Sequence, residues 1–282
     1  MKKINYFLQF ILIVSLYSFY RLLGLKISGR IFLVFGSFFR SKKICKKNIL
    51  LAFPQASEAK MNDIIKNMWI NYGKIFAEYP FIKNFRNSNK NNLISIENKN
   101  HLLEIKKAKE PVIFISGHFN NFELMAMTIE KFGIDLAAVY RPLNNKFLNP
   151  MMEKIRKKYI CKKQVKKGIS GTKELLRYFK NGSSIALMID QRVSQGIKAN
   201  FFGKDAFTTT IPAQFVKKFD AKIVPVYIER TENDLFKIKI DEPIKFDKQE
   251  TIPSITLSLN RILEKMILKN PTQWIWTHNR WK

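Results

Sequence analysis

The residue types best suited to chemistry follow three short apolar runs, at the point where each run ends. His118 follows VIFISG, Arg141 follows LAAVY, and IALMI is followed by Asp190, Gln191 and Arg192. Ligands of parallel α/β sheets bind at the carboxyl ends of the strands, so we expect these side chains to share one site. A histidine, a carboxylate and an arginine at one edge suit proton transfer and the binding of an anion or oxyanion.

A second carboxylate lies close to the histidine in the sequence. Glu123 follows His118 by five positions, and His118 is one of three histidines in the chain. With His118 in the strand-to-helix turn and Glu123 in the first helical turn, the carboxylate can accept the imidazole N–H, which leaves the other nitrogen ready to take a proton. Asn120 and Glu123 also match a capping box at the start of a helix. The spacing allows Glu123 both roles.

The arginine and the aspartate at the strand ends each have a second interpretation. Arg141 precedes a proline, which favours an extended backbone and directs the side chain outward. It is suited to clamp a phosphate or an oxyanion, although an ordinary surface arginine has the same signature in so basic a chain. Asp190 ends a run without other charges, so we expect it to be exposed or paired with Arg141 or Arg192. A helix or loop cap is the alternative for Asp190.

The sequence lacks the motifs of several other kinds of active site. The chain has no H-E-x-x-H motif, no cysteine cluster and no G-x-S-x-G motif, and GISGTK (168–173) lacks the spacing of a phosphate loop. Cys45 and Cys161 have no pairing pattern, which predicts free thiols in a reducing compartment. His101 and His278 are interpreted as ordinary surface or packed histidines. We therefore expect neither a metal nor a cofactor.

The amino-terminal segment is typical of a membrane anchor. Residues 4–20 contain no charge and reach the length of about 17 residues that a spanning helix needs. No small-residue cleavage site follows, which favours an uncleaved anchor. Residues 31–39 are too short to span and are flanked by arginines, so we expect them in the headgroup region. We assign 1–40 to the anchor and interfacial segment and 41–282 to the catalytic domain.

The charge of the chain indicates partners that are anionic. The sequence has 50 Lys and Arg against 22 Asp and Glu, a formal net charge of +28. A codon bias toward lysine explains part of this excess but not the crowding of basic residues directly behind the anchor. That crowding predicts a cytoplasmic location for the rest of the chain, held against anionic lipid. A membrane-tethered nucleic-acid-binding protein is a distant alternative, because the sequence has no recognition helix or basic-aromatic platform.

The order of helical and strand patterns predicts the fold class. An amphipathic helix begins behind a Ser57 cap and ends near Pro80, and residues 83–92 are interpreted as a loop. From residue 111 short apolar runs alternate with helical patterns, which predicts an α/β fold with a mainly parallel central sheet flanked by helices. LFKIKID (235–241) alternates apolar and charged residues and predicts an edge strand with one wet face. A final helix is expected after Thr251.

Six segments in order carry a family resemblance: SGHFNNFE, VYRPLNN, MIDQRV, FFGKDAFTTTIPA, AKIVPVYIER and PTQWIWTHNRWK. This set resembles the lipid A biosynthesis acyltransferases of Gram-negative bacteria, lauroyl- and myristoyl-type enzymes, over almost the whole chain. The H-x-x-x-x-E element alone is shared with a broader glycerolipid acyltransferase superfamily. The resemblance implies that His118 and Glu123 are the catalytic pair of the family. It also implies that Arg141 is the arginine of the VYRPLNN segment, and that Asp190 and Gln191 are the DQ pair of the MIDQRV segment.

Two positions depart from the pattern of that family. Asn120 and Phe122 stand where glycine and tryptophan are common. Asparagine is among the few residues that tolerate a left-handed backbone, so we expect the turn to be preserved. Phenylalanine in place of tryptophan changes the pocket wall, which bears on the preferred length of the acyl chain.

The resemblance also implies a reaction and a location. It implies a single-pass bacterial inner-membrane enzyme with a cytoplasmic catalytic domain. The enzyme would transfer a fatty acyl group, lauroyl-like, from acidic acyl carrier protein to a hydroxyl of a hydroxyacyl chain on a Kdo-bearing lipid A precursor. We expect His118, oriented by Glu123, to act as the base, with helix N–H groups or Arg141 stabilising the oxyanion. The alternative within the superfamily is acylation of a lysophospholipid or another glycolipid.

Overall fold

The computed structural model describes residues 2–35, 42–87 and 93–282. The helices in this part of the chain are α1 (Lys2–Phe35), α2 (Lys42–Ala52), α3 (Glu58–Glu78), α4 (Ile82–Arg86), α5 (Lys99–Ala108), α6 (Glu123–Lys131), α7 (Leu148–Tyr159), α8 (Ile169–Lys180), α9 (Ile211–Phe219) and α10 (Ile252–Lys269). The strands are β1 (Ile94–Glu97), β2 (Ile113–Ser116), β3 (Leu136–Tyr140), β4 (Lys163–Lys166), β5 (Ser184–Met188), β6 (Ile197–Phe201), β7 (Lys204–Thr208), β8 (Ile223–Arg230) and β9 (Phe236–Ile240).

The central sheet confirms the predicted α/β fold. Within the described residues seven strands pair in the order β1-β9-β8-β2-β5-β3-β4. The β8–β9 pair is antiparallel, and the other neighbours are parallel. Every residue of β2 is buried, as is nearly all of β5 and β8, because helices cover both faces of these apolar strands. β6 and β7 form a separate antiparallel hairpin.

The prediction that LFKIKID is an edge strand was wrong. β9 lies between β8 and β1, and β1 forms the edge. The alternation does report one wet face, since Lys237 and Lys239 of β9 are not buried and both contact Glu97 of β1. A strand with one solvent-exposed face shows the same alternation of apolar and charged residues whether it lies at the edge or inside the sheet. β1, which forms the edge, is too short and too polar to be recognised as a strand from the sequence.

The helical pattern before the sheet is confirmed at both ends. The Ser57 hydroxyl accepts the N–H of Lys60 at 3.2 Å and caps α3, and a 3₁₀ turn with Pro80 follows α3. The predicted loop at 83–92 was wrong in its first part, because α4 continues to Arg86, while residues 88–92 lie outside the described residues. Ile82 and Phe85 bury one face of α4, and this burial outweighs its polar composition.

The first helix is long and apolar enough to cross a membrane. Within its segment Lys2–Gly29, a stretch of 18 residues has a high mean hydropathy and is only 6% buried, which is consistent with membrane association. α1 also packs on the α/β body: its Tyr17 ring lies 6.5 Å from that of Tyr79, and Asn145 donates to the Tyr6 carbonyl at 2.8 Å. The proposed interfacial segment continues α1 to Phe35, and residues 36–40 with its boundary lie outside the described residues.

Candidate active site

The sheet brings the predicted strand ends to one edge. β2 pairs with β5 in parallel, with Ile115 opposite Leu187 and Ser116 opposite Met188. His118 lies two residues after Ser116, and Asp190 lies two residues after Met188. The two residues therefore lie at the same level along neighbouring strands. β3 lies on the other side of β5, and β4 lies beyond β3. Arg141 and Lys167, which follow β3 and β4, extend this row of strand ends.

Asp190 holds His118 by both its side chain and its backbone. Oδ1 of Asp190 lies 2.7 Å from Nδ1 of His118, and Oδ2 accepts the His118 backbone N–H at 2.8 Å. The Asp190 side chain is 3% exposed and that of His118 is 17% exposed, so the carboxylate is enclosed while the imidazole reaches the surface of the site. Asp190 was expected to pair with Arg141 or Arg192; its partner is His118 instead.

A tryptophan from the carboxyl-terminal segment completes the surroundings of the carboxylate. The indole N–H of Trp274 donates to Oδ2 of Asp190 at 2.8 Å, and the Trp274 side chain is itself buried. Burial alone raises the pKa of a carboxyl group, but the charge and hydrogen bonds of His118 and the indole N–H together lower the pKa of Asp190 to about 2. Asp190 is therefore ionised at physiological pH.

The ionised carboxylate determines which nitrogen of His118 carries the proton. Because a carboxylate only accepts hydrogen bonds, the neutral imidazole is protonated on Nδ1 and has its lone pair on Nε2. Nε2 lies 3.4 Å from the side-chain nitrogen of Gln191, and the Phe122 ring packs edge-on against the imidazole with 4.7 Å between ring centroids. His118 thus presents a basic nitrogen beside an amide donor and an apolar wall.

The turn between β2 and α6 restricts the residue type at two positions, Gly117 and Asn120. A Cβ on Gly117 would lie 2.8 Å from the Phe119 ring and 3.3 Å from Oδ2 of Asp190, so a side chain there would clash with the ring and crowd the carboxylate. Asn120 adopts a left-handed backbone with φ of 45°, as expected for the residue that replaces a glycine. Its side chain binds Gln273 and the Ile228 carbonyl, not the helix N–H groups, so the capping-box interpretation was wrong.

Glu123 does not contact the imidazole, contrary to the expectation from its spacing. Its Oε1 accepts two hydrogen bonds from Arg156, at 2.8 Å from Nε and 2.6 Å from the terminal guanidinium nitrogen, and one from the Tyr79 hydroxyl at 2.5 Å. The physical reason is that Glu123 begins α6 after a tight turn, and from there it faces α7 and the 3₁₀ turn after α3. This Glu123–Arg156–Tyr79 cluster joins three elements behind the histidine turn.

Burial and the neighbouring charges keep Tyr79 protonated and Arg156 charged. Burial, followed by the charge of Glu123, raises the pKa of Tyr79 well above its usual value, so the hydroxyl remains a donor. Burial opposes the charge on Arg156, but Glu123 and Tyr79 raise its pKa overall. Tyr79 also stacks on Tyr17 of α1, which connects the cluster to the amino-terminal apolar helix.

The two arginines predicted at the site differ in their surroundings. Arg192 donates from Nε to the carbonyl of Lys282 at 2.9 Å and from a terminal nitrogen to Ser194 at 3.1 Å, so it secures the end of the chain. Arg141 is exposed and makes neither a hydrogen bond nor a salt bridge to any described residue. It is therefore free to bind a substrate group.

The backbone donors of the histidine turn are largely occupied. The N–H groups of His118, Phe119, Asn120 and Phe122 all donate to acceptors of the protein, in hydrogen bonds of 2.8 to 3.0 Å. These groups are thus not available for an oxyanion in the described state. The amide nitrogen of Gln191 lies 3.4 Å from Nε2 of His118 and is a side-chain donor at this position.

Sequence reasoning missed four residues around the site. Trp274, Arg156, Tyr79 and Lys167 were not singled out, although each touches the row of strand ends or the Glu123 cluster. For Arg156 a signal was present, because it stands four positions after the buried Met152 on an amphipathic helix. Trp274 lay within a motif that carried the resemblance, but nothing in its spacing indicated contact with Asp190.

The carboxyl-terminal tail is fixed beside the site by buried polar contacts. Asn48 donates to the carbonyls of Trp276 and His278 at 2.8 and 2.7 Å. Arg280 is fully buried and donates to the Phe207 carbonyl at 2.6 Å, and its burial lowers the pKa to about 10. The pKa of His278 is lowered too, first by its own burial, so this histidine is part of the packed tail.

Fold and site together define a class of protein. A buried carboxylate fixes Nδ1 of a partly exposed histidine at the carboxyl edge of a mainly parallel sheet, and Nε2 lies beside the amide of Gln191. This arrangement is suited to proton transfer by the histidine in an α/β enzyme. Residues 1–282 match the family of bacterial lipid A biosynthesis acyltransferases. The chain belongs to this family, which confirms the resemblance drawn from the ordered motifs.

Three curated proteins illustrate the relationship. The lipid A biosynthesis acyltransferase of Haemophilus influenzae is 23% identical over 246 residues, covering 86% of this chain and 78% of that protein. Two proteins of Escherichia coli are similarly distant, a lipid A biosynthesis palmitoleoyltransferase at 21% identity over 250 residues and a lauroyltransferase at 23% over 258 residues. Each of these matches covers 86% of this chain and 79% of the relative. The chain is an acyltransferase of lipid A biosynthesis.

Proposed function

We propose that the protein transfers a fatty acyl group from acyl carrier protein to a hydroxyl on a hydroxyacyl chain of a Kdo-bearing lipid A precursor. His118 is the general base, and Asp190 orients it. The observation that carries this proposal is the contact of 2.7 Å between Asp190 Oδ1 and His118 Nδ1, which directs the lone pair of Nε2 into the site. Glu123, assigned to this orienting role from its spacing, is proposed to position the histidine turn through Arg156 and Tyr79.

The proposed step needs no covalent enzyme intermediate. Nε2 of His118 takes the proton of the acceptor hydroxyl as the oxygen attacks the thioester carbonyl and a C–O bond forms. Gln191 donates its amide to the oxyanion that develops at the carbonyl oxygen. When the tetrahedral intermediate collapses, the C–S bond breaks and the thiolate receives the proton from Nε2. Asp190 stabilises the imidazolium between these two proton transfers.

The charge of the chain and its family support the proposed donor and acceptor. Acyl carrier protein is acidic, and a surface with a net charge of +28 attracts it over long range. The relatives named palmitoleoyltransferase and lauroyltransferase carry different acyl chains in their names, so family membership leaves the chain length open. A lauroyl-like chain remains our expectation, and Phe122 beside His118 is the residue most directly placed to influence it.

The location that we propose is the bacterial inner membrane, with the catalytic domain on the cytoplasmic side. α1 supplies the apolar anchor, and the excess of Lys and Arg behind it favours retention of the following chain in the cytoplasm. α1 contacts the loop after β3 through Asn145 and the Glu123 cluster through Tyr17. These contacts support a domain held at the bilayer surface, where a lipid acceptor is found.

Acyl transfer can be measured directly by mass spectrometry. Membranes containing the wild-type protein or His118→Ala would be incubated with a Kdo-bearing tetra-acylated precursor and a series of acyl-carrier-protein thioesters. We expect the mass gain of one acyl group, with a rate that falls roughly 10²- to 10⁴-fold in His118→Ala. His101→Ala is the matched control, because His101 lies on α5, which packs on β9 away from the site.

Two results would contradict the proposal in different ways. Near-normal turnover by folded His118→Ala would exclude this histidine as the base. No mass gain by folded wild-type protein with any thioester would exclude the proposed substrates, and lysophospholipid and glycolipid acceptors would then be tested in the same assay.

A further inference from the structure

Two cations lie side by side at the sheet edge next to the catalytic pair. Lys167 directly follows β4, and its backbone N–H donates at 2.8 Å to the carbonyl of Tyr140, the last residue of β3. Since Arg141 follows Tyr140, the two cationic residues leave neighbouring parallel strands at the same edge. The next strand, β5, delivers Asp190, so the cation pair adjoins the carboxylate that holds His118.

The electrostatic interactions of Lys167 agree with this placement. Partial desolvation and the charge of Arg141 both lower the pKa of Lys167, while Asp190 acts in the opposite direction. Lys167 is therefore close enough to both groups to interact with their charges. The proximity of two like charges is unfavourable in the absence of an anion, because each makes it harder for the other to remain charged.

No carboxylate in the described residues neutralises this pair. The salt bridges of the described chain include neither Lys167 nor Arg141, whereas the neighbouring Lys166 contacts Glu153 at 3.6 Å. Asp190 interacts electrostatically with Lys167, but its two oxygens already accept from His118 and Trp274. The pair thus offers an ammonium and a guanidinium to a group that must come from a ligand.

We infer that Lys167 and Arg141 form a subsite for a phosphate group of a substrate, beside the His118–Asp190 pair. A guanidinium binds two phosphate oxygens at once, and an ammonium adds a point charge with three donors. The inference rests on the proposed function and extends it, because it assigns Lys167 to the site and specifies the class of ligand. Binding the phosphate here would hold the reacting end of the substrate at the strand ends.

The two substrates of the proposed reaction each carry such a group. The lipid A precursor bears phosphate esters on its sugars, and the arm that carries the thioester of acyl carrier protein contains a phosphodiester. The same cation pair suits either group. The experiment therefore needs phosphate-bearing and phosphate-free versions of both the acceptor and the donor.

The test compares Lys167→Met and Arg141→Met with Lys180→Met. Lys180 is an exposed lysine at the end of α8, and because α8 runs back from the site edge, it lies at the opposite edge of the sheet. KM and kcat would be measured for the phosphorylated and phosphatase-treated acceptor, and for phosphopantetheine and pantetheine thioesters. We expect the site variants to raise KM roughly 10- to 100-fold for the phosphate-bearing form of one substrate only.

Each outcome decides the inference. A KM increase confined to the phosphorylated acceptor, or to the phosphopantetheine donor, supports the subsite and identifies the source of the phosphate. Kinetics of Lys167→Met equal to those of Lys180→Met, or an equal loss with phosphate-bearing and phosphate-free substrates, would overturn it.

A binding measurement separates this inference from the proposed function. Calorimetric titration with inorganic pyrophosphate should show binding to wild type and Lys180→Met but not to Lys167→Met. If wild type transfers no acyl group, the proposed function fails, and the titration still decides whether the cation pair binds phosphate. If wild type is active but the titration shows no difference between the two lysine variants, the subsite alone is contradicted.

Discussion

Two buried carboxylates support the turn that carries His118, and their partners differ. Asp190 divides three donors between its two oxygens, two from His118 and one from Trp274. Glu123 receives all its hydrogen bonds on one oxygen, from Arg156 and Tyr79. Asp190 therefore controls the proton of the histidine, whereas Glu123 joins α6 to α7 and to the turn after α3.

The difference teaches that nearness in sequence is a poor guide to the hydrogen-bond partner of a histidine. Glu123 is five positions from His118, but Asp190, separated from it by 72 positions, makes the contact. The adjacent strands β2 and β5 bring the distant residue into reach, while the tight turn directs the near one away. Substitutions at the two carboxylates should therefore have different effects.

Asp190→Asn should have the largest effect of these substitutions. An Asn side chain that turns its NH₂ group toward Nδ1 would make Nδ1 an acceptor and place the proton on Nε2, which removes the base. We expect kcat to fall roughly 10³-fold with a folded protein, as measured by acyl transfer and circular dichroism. A decrease of less than about tenfold would show that Asp190 does not control the tautomer.

Glu123→Gln should affect stability and rate together. The substitution leaves the buried Arg156 guanidinium without its counter-charge, which costs about 3 kcal/mol of unfolding free energy. Displacement of the histidine turn should lower kcat about 10- to 100-fold. The pH profile of the remaining activity should match that of wild type, since His118 keeps its partner. A changed profile with unchanged stability would instead assign Glu123 to the histidine.

Trp274→Phe should produce a smaller, pH-dependent effect. The pKa of Asp190 is depressed from 3.8 to about 2 in the folded protein, so its contribution to stability is present above pH 3.8 and is lost as the pH falls toward 2. Removing the indole N–H should raise this folded pKa and move the acid loss of stability to higher pH. Unfolding curves from pH 2 to 5 would measure the shift, and an unchanged curve would mean that the indole N–H does not stabilise the carboxylate.

Tyr79→Phe should have the smallest effect, because Glu123 keeps both of its bonds to Arg156. Loss of one hydrogen bond should lower the unfolding free energy by about 1 kcal/mol and change kcat by less than about threefold. Thermal unfolding and the acyl-transfer assay measure the two quantities. A loss of activity as large as that of Glu123→Gln would mean that Tyr79, and not Arg156, is the main partner of Glu123.

The sequence was sufficient to predict the elements with strong local patterns. The capped start of α3 at Ser57 and the apolar strands β2, β3 and β5 have the expected bounds within a few residues. These strands are buried on both faces, so their composition alone identifies them. The location of His118, Arg141 and Asp190 at one sheet edge follows from the same pattern.

Features that depend on tertiary contacts could not be predicted in this way. The order of the strands determines that Asp190 meets His118, and this order is not contained in any local pattern. The sequence of β4, KQVK, is typical of a basic loop, so Lys167, which directly follows β4, was not predicted to belong to the site. The β6–β7 hairpin turns at Phe202 and Gly203, both with positive φ, where the usual asparagine or aspartate signal is absent.

The proton on Nδ1 of His118 tests the central claim most directly. The chain has three histidines, so His101→Gln and His278→Gln variants would assign the ring N–H resonances of the protein in detergent by nuclear magnetic resonance. A slowly exchanging Hδ1 resonance of His118 should be present in wild type and Glu123→Gln and absent in Asp190→Asn. A resonance that persists in Asp190→Asn and disappears in Glu123→Gln would show that Glu123 orients the base, and would contradict the account.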